Sequence, residues 1–220
     1  MEVGTLVAVS LLAFAIWVLP ITRPLGLPLL FLNTHIHELC HAISALATSG
    51  KVAYIVVYSN GSGVTPVAGG NLPLLAMSGY VGSALVGGLL IGASRRSDTA
   101  RKAMWVLTTG LAISMVLFVR GELLGWFAGI FWVIVCGAAV WKLGTEAIRL
   151  FTAFIGVQQC LTSVHALLVL YRISAGTEMQ SDAQLMQQAT HIPSVVWAII
   201  WMFLSALCMG WGVRQALRTR

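Results

Sequence analysis

The chain has 220 residues, of which 58% are hydrophobic and 9% charged, with a formal net charge of +6 and a mean hydropathy of +0.89. Soluble domains carry about 25% charged residues, so this composition excludes an ordinary soluble globular protein. The basic residues sit between long apolar runs, without interleaved aromatics, which argues for membrane topology and against nucleic-acid binding. Cys40, Cys136, Cys160 and Cys208 lie within or beside apolar runs and form no CxxC pair, so neither a thiolate zinc site nor a redox motif is supported.

Seven apolar runs are candidate spans: residues 4–19, 27–47, 72–93, 104–119, 123–140, 150–170 and 192–213. The expected fold is an all-α polytopic membrane protein of about six to seven transmembrane helices, with a small β-hairpin after the second run. Residues 1–220 are expected to form a single integral-membrane domain. The first residues, Met1-Glu2-Val3-Gly4, lack the positive n-region of a cleaved signal, so the first run reads as a retained span. With seven crossings and an external N-terminus, Arg23, Arg95, Arg96, Arg101, Lys102, Lys142, Arg149, Arg214, Arg218 and Arg220 fall inside. Only Lys51, Arg120 and Arg172 fall outside, as the positive-inside tendency prefers.

The second run holds Asn33-Thr34-His35-Ile36-His37-Glu38-Leu39-Cys40-His41, which contains HExxH. On a helix, residues i and i+4 share a face, so His37 and His41 can aim two imidazoles at one ion. Glu38 is close enough to act as general base for a metal-bound water. Zinc suits this set, given a third protein ligand and an open fourth position. At 1.5 Å per residue each histidine lies roughly 12–14 Å from an end of this run, near the middle of a hydrocarbon core of about 30 Å. Ionisable groups at that depth are costly, so a function is the default expectation. The competing reading is a chance HExxH on a helix that lines a polar cavity or relays protons. Cys40 reads as a small buried residue on the face away from the metal.

Residues 51–58, Lys-Val-Ala-Tyr-Ile-Val-Val-Tyr, are rich in strand formers, and Asn60-Gly61 is a hairpin-turn signal. Pro66 cannot donate to a ladder, which makes the returning strand short or an edge. The segment is either a plain surface hairpin or an edge strand beside the metal site that holds an extended peptide by strand addition. For the second role Tyr54, Val56, Tyr58 and Asn60 are the candidate substrate-binding residues.

The third run carries small residues four apart, Ser78/Gly82 and Gly88/Gly92, which let helix backbones approach closely, and it is expected to pack on the HExxH helix. The fourth and fifth runs are apolar, and Glu122 and Glu146 beside the fifth read as solvated or interfacial. The sixth run holds Gln158, Gln159, Thr162, Ser163 and His165, whose expected role is hydrogen bonding between helices rather than metal ligation. The acids are Glu2, Glu38, Asp98, Glu122, Glu146, Glu178 and Asp182. Spacing alone leaves the third ligand open among them, with Asp182 slightly ahead, and Ser181 is placed to cap a short helix there.

Several stretches together resemble the site-2 protease class of intramembrane zinc metalloproteases, in its compact B-like branch. They are His37-Glu-Leu-Cys-His-Ala42, Ser49-Gly-Lys-Val52, Asn60-Gly-Ser-Gly-Val-Thr65, Gly69-Gly70 and the segment 76–87. A shorter second block is Ser181-Asp182 with Thr190-His-Ile-Pro-Ser-Val-Val-Trp197. The resemblance implies that His37 and His41 bind Zn2+, that Glu38 activates the water, and that Asp182 completes the site. It also implies a transmembrane protein substrate within the lipid bilayer. Two departures stand: Asp182 has neither the Asn-Pro nor the Leu-Asp-Gly setting of better-known members, and no room is left for a PDZ domain. The family's site usually lies towards the cytosol, whereas the span count puts Asp182 near the outer end of the last span, so either a span is miscounted or a polar loop folds back. The expected function is an intramembrane zinc metalloendopeptidase. Two alternatives are a non-proteolytic membrane scaffold or metal-binding protein that keeps the fold and, ranked last, a transporter with a histidine/glutamate ion path.

Overall fold

A computed structural model describes residues 2–176 and 181–218; Glu178 and Arg220 lie outside the described residues. The elements in chain order are α1 (Val3–Val18), a 3-10 turn (Pro20–Thr22), α2 (Arg23–Ala47) and four short strands. The strands are β1 (Lys51–Val52), β2 (Val56–Val57), β3 (Gly63–Val64) and β4 (Val67–Ala68). Then come α3 (Leu72–Ala93), α4 (Ser97–Leu117), α5 (Leu123–Lys142), α6 (Thr145–Gly176), α7 (Asp182–Thr190) and α8 (Ser194–Leu217). The chain is an all-α polytopic membrane protein with small strand pairs.

Among the described residues α3, α4, α5, α6 and α8 are long and apolar enough to cross a membrane. α2 has the length, at 25 residues, but six polar side chains between Asn33 and His41 dilute its hydropathy. α1, at 16 residues, extends about 24 Å, short of a core of about 30 Å. The orientation count assumed that this first run crosses, and length does not support that step. α2 also starts earlier than the apolar run, with Pro24 tolerated in its first turn. The HExxH motif therefore sits in the second half of the helix, with His41 about 9 Å from its C-terminal end.

α3 is the central helix, packed on α2, α6 and α8. Its glycines divide between these neighbours rather than forming one stripe towards α2. A Cβ at Gly82 would meet Cys40 Sγ on α2 at 2.8 Å; one at Gly87 would meet Cys160 Sγ on α6 at 2.6 Å; one at Gly88 would meet the Cys208 carbonyl oxygen on α8 at 2.5 Å. In lipid such backbone approach supplies the packing that burial from water cannot.

Gln158, Gln159 and Ser163 of α6 hydrogen-bond to other helices as expected, whereas Thr162 bonds the Gln158 carbonyl of its own helix at 2.8 Å. Gln158 donates to the Ala13 carbonyl at 3.0 Å and accepts from the Trp17 indole at 2.8 Å. Gln159 and Ser163 donate to Asn33 Oδ1 on α2 at 2.8 and 3.2 Å. His165 stacks on Trp17 with centroids 5.8 Å apart.

The four strands are two arms of one hairpin whose register changes midway. Lys51 pairs with Ala68 and Val52 with Val67, whereas Val56 pairs with Val64 and Val57 with Gly63. Ala53 N–H donates to Pro66 O at 3.0 Å, so Tyr54 and Ile55 together oppose Thr65 alone: a β-bulge. The bulge frees Ile55 to pair outward. It donates to Phe118 O at 2.9 Å and accepts from Arg120 N–H at 2.8 Å, forming a parallel bridge to Val119 in the α4–α5 link. Ile55, Val57 and Val119 are buried with Phe31 and Ala42. Glu122, expected to be solvated or interfacial, is exposed and accepts from Ser59 N–H at the hairpin turn, at 2.5 Å.

Between α6 and α8 the chain folds back. α6 ends beside the start of α8, where Ser194 donates to the Ser174 carbonyl at 3.4 Å, yet Asp182 at the start of α7 reaches α2. Ala183 and Met186 anchor α7 among Ala76, Leu170, Ala198 and Trp201. Ser181 caps α7 by accepting from Gln184 N–H at 3.3 Å, and His191 closes it with φ 60°. A returning polar segment, α7, is present, and the short α1 bears on the other explanation, a miscounted span.

Candidate metal centre

α2, α3 and α7 meet around three side chains. His37 Nε2 and His41 Nε2 are 3.0 Å apart, and Asp182 Oδ2 lies 3.7 Å from the first and 3.3 Å from the second. Two ligands held at about 2.05 Å in a tetrahedron are themselves about 3.3 Å apart, which is the mean of these three distances. Among the described residues no other His/Cys/Asp/Glu group converges in this way. Two imidazole nitrogens and a carboxylate oxygen are donors that zinc favours, and three of them leave one position open. The residues present fit the ion.

Second-layer contacts orient the donors. His41 donates its Nδ1–H to the Leu75 carbonyl at 2.8 Å, with Ser78 Oγ 3.2 Å from the same nitrogen. That bond leaves the Nε2 lone pair facing His37 and Asp182. The His37 ring is held edge-on against Tyr80, with centroids 4.6 Å apart, and Tyr80 in turn stacks on Trp201 at 5.7 Å. Gly79 is required by proximity: a Cβ there would lie 2.5 Å from His41 Nε2 and would collide with the His37 ring as well.

Glu38 is buried, at 4% exposure, and faces the hairpin rather than α3. Thr65 Oγ1 donates to Glu38 Oε2 at 2.6 Å, and a Cβ at Gly63 would meet Glu38 Oε1 at 2.5 Å. The preceding polar residues of α2 are tied to protein. Asn33 is held by α6 as above, Thr34 donates to the Gly61 carbonyl at 2.6 Å, and His35 donates to the Gly125 carbonyl at 2.9 Å. Cys40 packs on Gly82 rather than joining the donors.

The structure therefore brings His37, His41 and Asp182 together, with Glu38 one residue along α2. Tyr54, Val56, Tyr58 and Asn60 lie on the first arm and turn of the hairpin. Tyr54 and Tyr58 are exposed, and Asn60 accepts from Ser62 N–H and Oγ at 2.9 and 2.7 Å. Sequence reasoning passed over Gly63, Thr65, Leu75, Gly79 and Tyr80. Gly79 was visible only as one small residue among many, and Leu75 acts through its carbonyl, which sequence does not mark.

A polytopic helical protein whose HExxH helix meets a carboxylate from a returning segment has the architecture of a membrane metallopeptidase. Residues 6–212 match the family model described as Peptidase M50B-like, and the chain belongs to that family. No curated protein and no solved structure matches the chain.

Proposed function

We propose that the chain is an intramembrane zinc endopeptidase that cleaves transmembrane protein substrates. The observation that carries this reading is the convergence of His37, His41 and Asp182 with Glu38 adjacent. His37, His41 and Asp182 would hold the zinc. When bound, zinc polarises a carbonyl and makes a water acidic enough to attack near neutral pH. Glu38 takes the proton from the attacking water and hands it to the leaving amine.

A transmembrane helix hides its peptide groups in internal hydrogen bonds, so a substrate must unwind to be cut. The hairpin offers a partner for the unwound strand. Its first arm is joined to Val119 at Ile55, which leaves the second arm as the receiving edge. Tyr58 bonds Ser62 and Ala53 bonds Pro66 across the arms, so strand alternation turns the peptide groups of Gly63 and Val67 outward. That edge runs past Glu38, at Gly63 and Thr65. Strand addition there sets the scissile bond beside the general base.

The test is a transmembrane reporter reconstituted in liposomes with the purified full chain. Cleavage within the membrane span is expected, lost on chelation and restored by zinc. Stoichiometric zinc with no cleavage would favour a non-proteolytic scaffold or metal-binding protein.

A further inference from the structure

We propose that Thr65 is a positioning residue for Glu38, so that the strand that receives substrate also aims the general base. The inference rests on the proteolytic reading above and goes beyond it. The Thr65 hydroxyl lies 2.6 Å from Glu38 Oε2 and 3.3 Å from the Glu38 carbonyl oxygen, so one side chain spans the carboxylate and its own backbone. A hydrogen bond to a carboxylate is shorter and stronger than one between neutral groups, and it fixes direction as well as energy.

Three features of the hairpin serve this contact. The bulge places Tyr54 and Ile55 opposite Thr65, and a bulge re-aims the side chain beside it. Pro66 restricts the residue before it to extended backbone, which holds Thr65 in the strand conformation. Gly63, two residues earlier and on the same face, has no Cβ, and one there would strike Glu38 Oε1 at 2.5 Å and Thr34 Cγ2 at 2.8 Å. Glu38 therefore sits between an absent side chain and a donating one. The first arm is fixed to the α4–α5 link by Ile55 and by Glu122 at the turn. The hydroxyl is thus held by a frame outside α2, and the motif helix alone does not decide where its glutamate points.

The experiment uses the full chain in liposomes with the same reporter and compares parent, Thr65→Val and Thr65→Ser. Valine keeps the shape and removes the donor; serine restores it. Thr65→Val is expected to lose about 10- to 100-fold in kcat, the range for groups that orient a site at one remove, with KM within about twofold. Thr65→Ser should recover most of that loss, and zinc content should match the parent in both. A second readout is independent of turnover: the carboxylate infrared band assigned by the Glu38→Gln difference spectrum should shift in Thr65→Val and not in Thr65→Ser. An unshifted band, or a shifted band with parental kcat, overturns the proposal. A loss confined to KM overturns it as well, because it assigns Thr65 to substrate docking alone. If the parent itself shows no cleavage that depends on Glu38, the proteolytic reading fails and takes this role with it, while the infrared shift would still report the contact.

Discussion

The Asp182 carboxylate lies 3.3 Å from the Nε2 atom of His41, although the two residues belong to helices at opposite ends of the sequence. That proximity depends on α7 returning into the fold. Replacing Asp182 with Asn keeps the shape and removes the charge. Zinc affinity, measured by competition with a chromophoric chelator, is expected to fall by at least about 100-fold, more than the 10- to 100-fold typical of an outer-shell change. Unchanged affinity would remove Asp182 from the donor set.

Gly79 makes a separate test of how closely α3 covers the donors. A Cβ there would strike both imidazoles, and neither ring can withdraw while Leu75 and Tyr80 hold them. Gly79→Ala is expected to lose stoichiometric zinc while remaining helical by circular dichroism. Full zinc occupancy would show that α3 stands further off than these distances state.

The Asn33 amide oxygen accepts from both Gln159 and Ser163. Asn33→Leu leaves two buried donors unpaired and should destabilise the folded protein by about 1–2 kcal/mol in a detergent unfolding titration. A double-mutant cycle with Gln159→Leu should recover a coupling of about 0.6–1.7 kcal/mol. Zero coupling would contradict the contact.

The receiving edge can be tested without touching Glu38. Val67 opposes Val52 at a position where alternation turns its N–H outward, so Val67→Pro removes a donor from the edge and leaves the ladder between the arms intact. KM for the reporter is expected to rise about 2- to 13-fold, the worth of one hydrogen bond at 0.5–1.5 kcal/mol, with kcat unchanged. An unchanged KM would place the substrate elsewhere.

Much of this was legible in the sequence wherever a local rule decides. HExxH marks its own face of a helix, Asn60-Gly61 marks the turn, Ser181 marks a cap, and the polar set on α6 needs partners wherever it is buried. What local rules do not carry stayed hidden. The bulge accompanies the pairing of Ile55 with Val119, which links the hairpin to a distant turn. The candidate substrate residues lie on the first arm, which bridges Val119 at Ile55, while Gly63 and Thr65 beside Glu38 stood in the sequence only as part of the stretch 60–65, with no role of their own. The approach of Asp182 to His41 depends on α7, a short polar helix that a count of apolar runs does not represent. α1 carries no charge, yet at 16 residues it falls short of a hydrocarbon core of about 30 Å.

The most direct measurement is cleavage of the transmembrane reporter by Glu38→Gln alongside the parent, with zinc determined in the same preparations. The substitution keeps the size and polarity of the side chain and removes its capacity to take a proton. Zinc should stay stoichiometric while cleavage falls by about 100- to 10,000-fold, the contribution of a positioned general base. A Glu38→Gln protein that holds zinc and cleaves as fast as the parent would contradict the account.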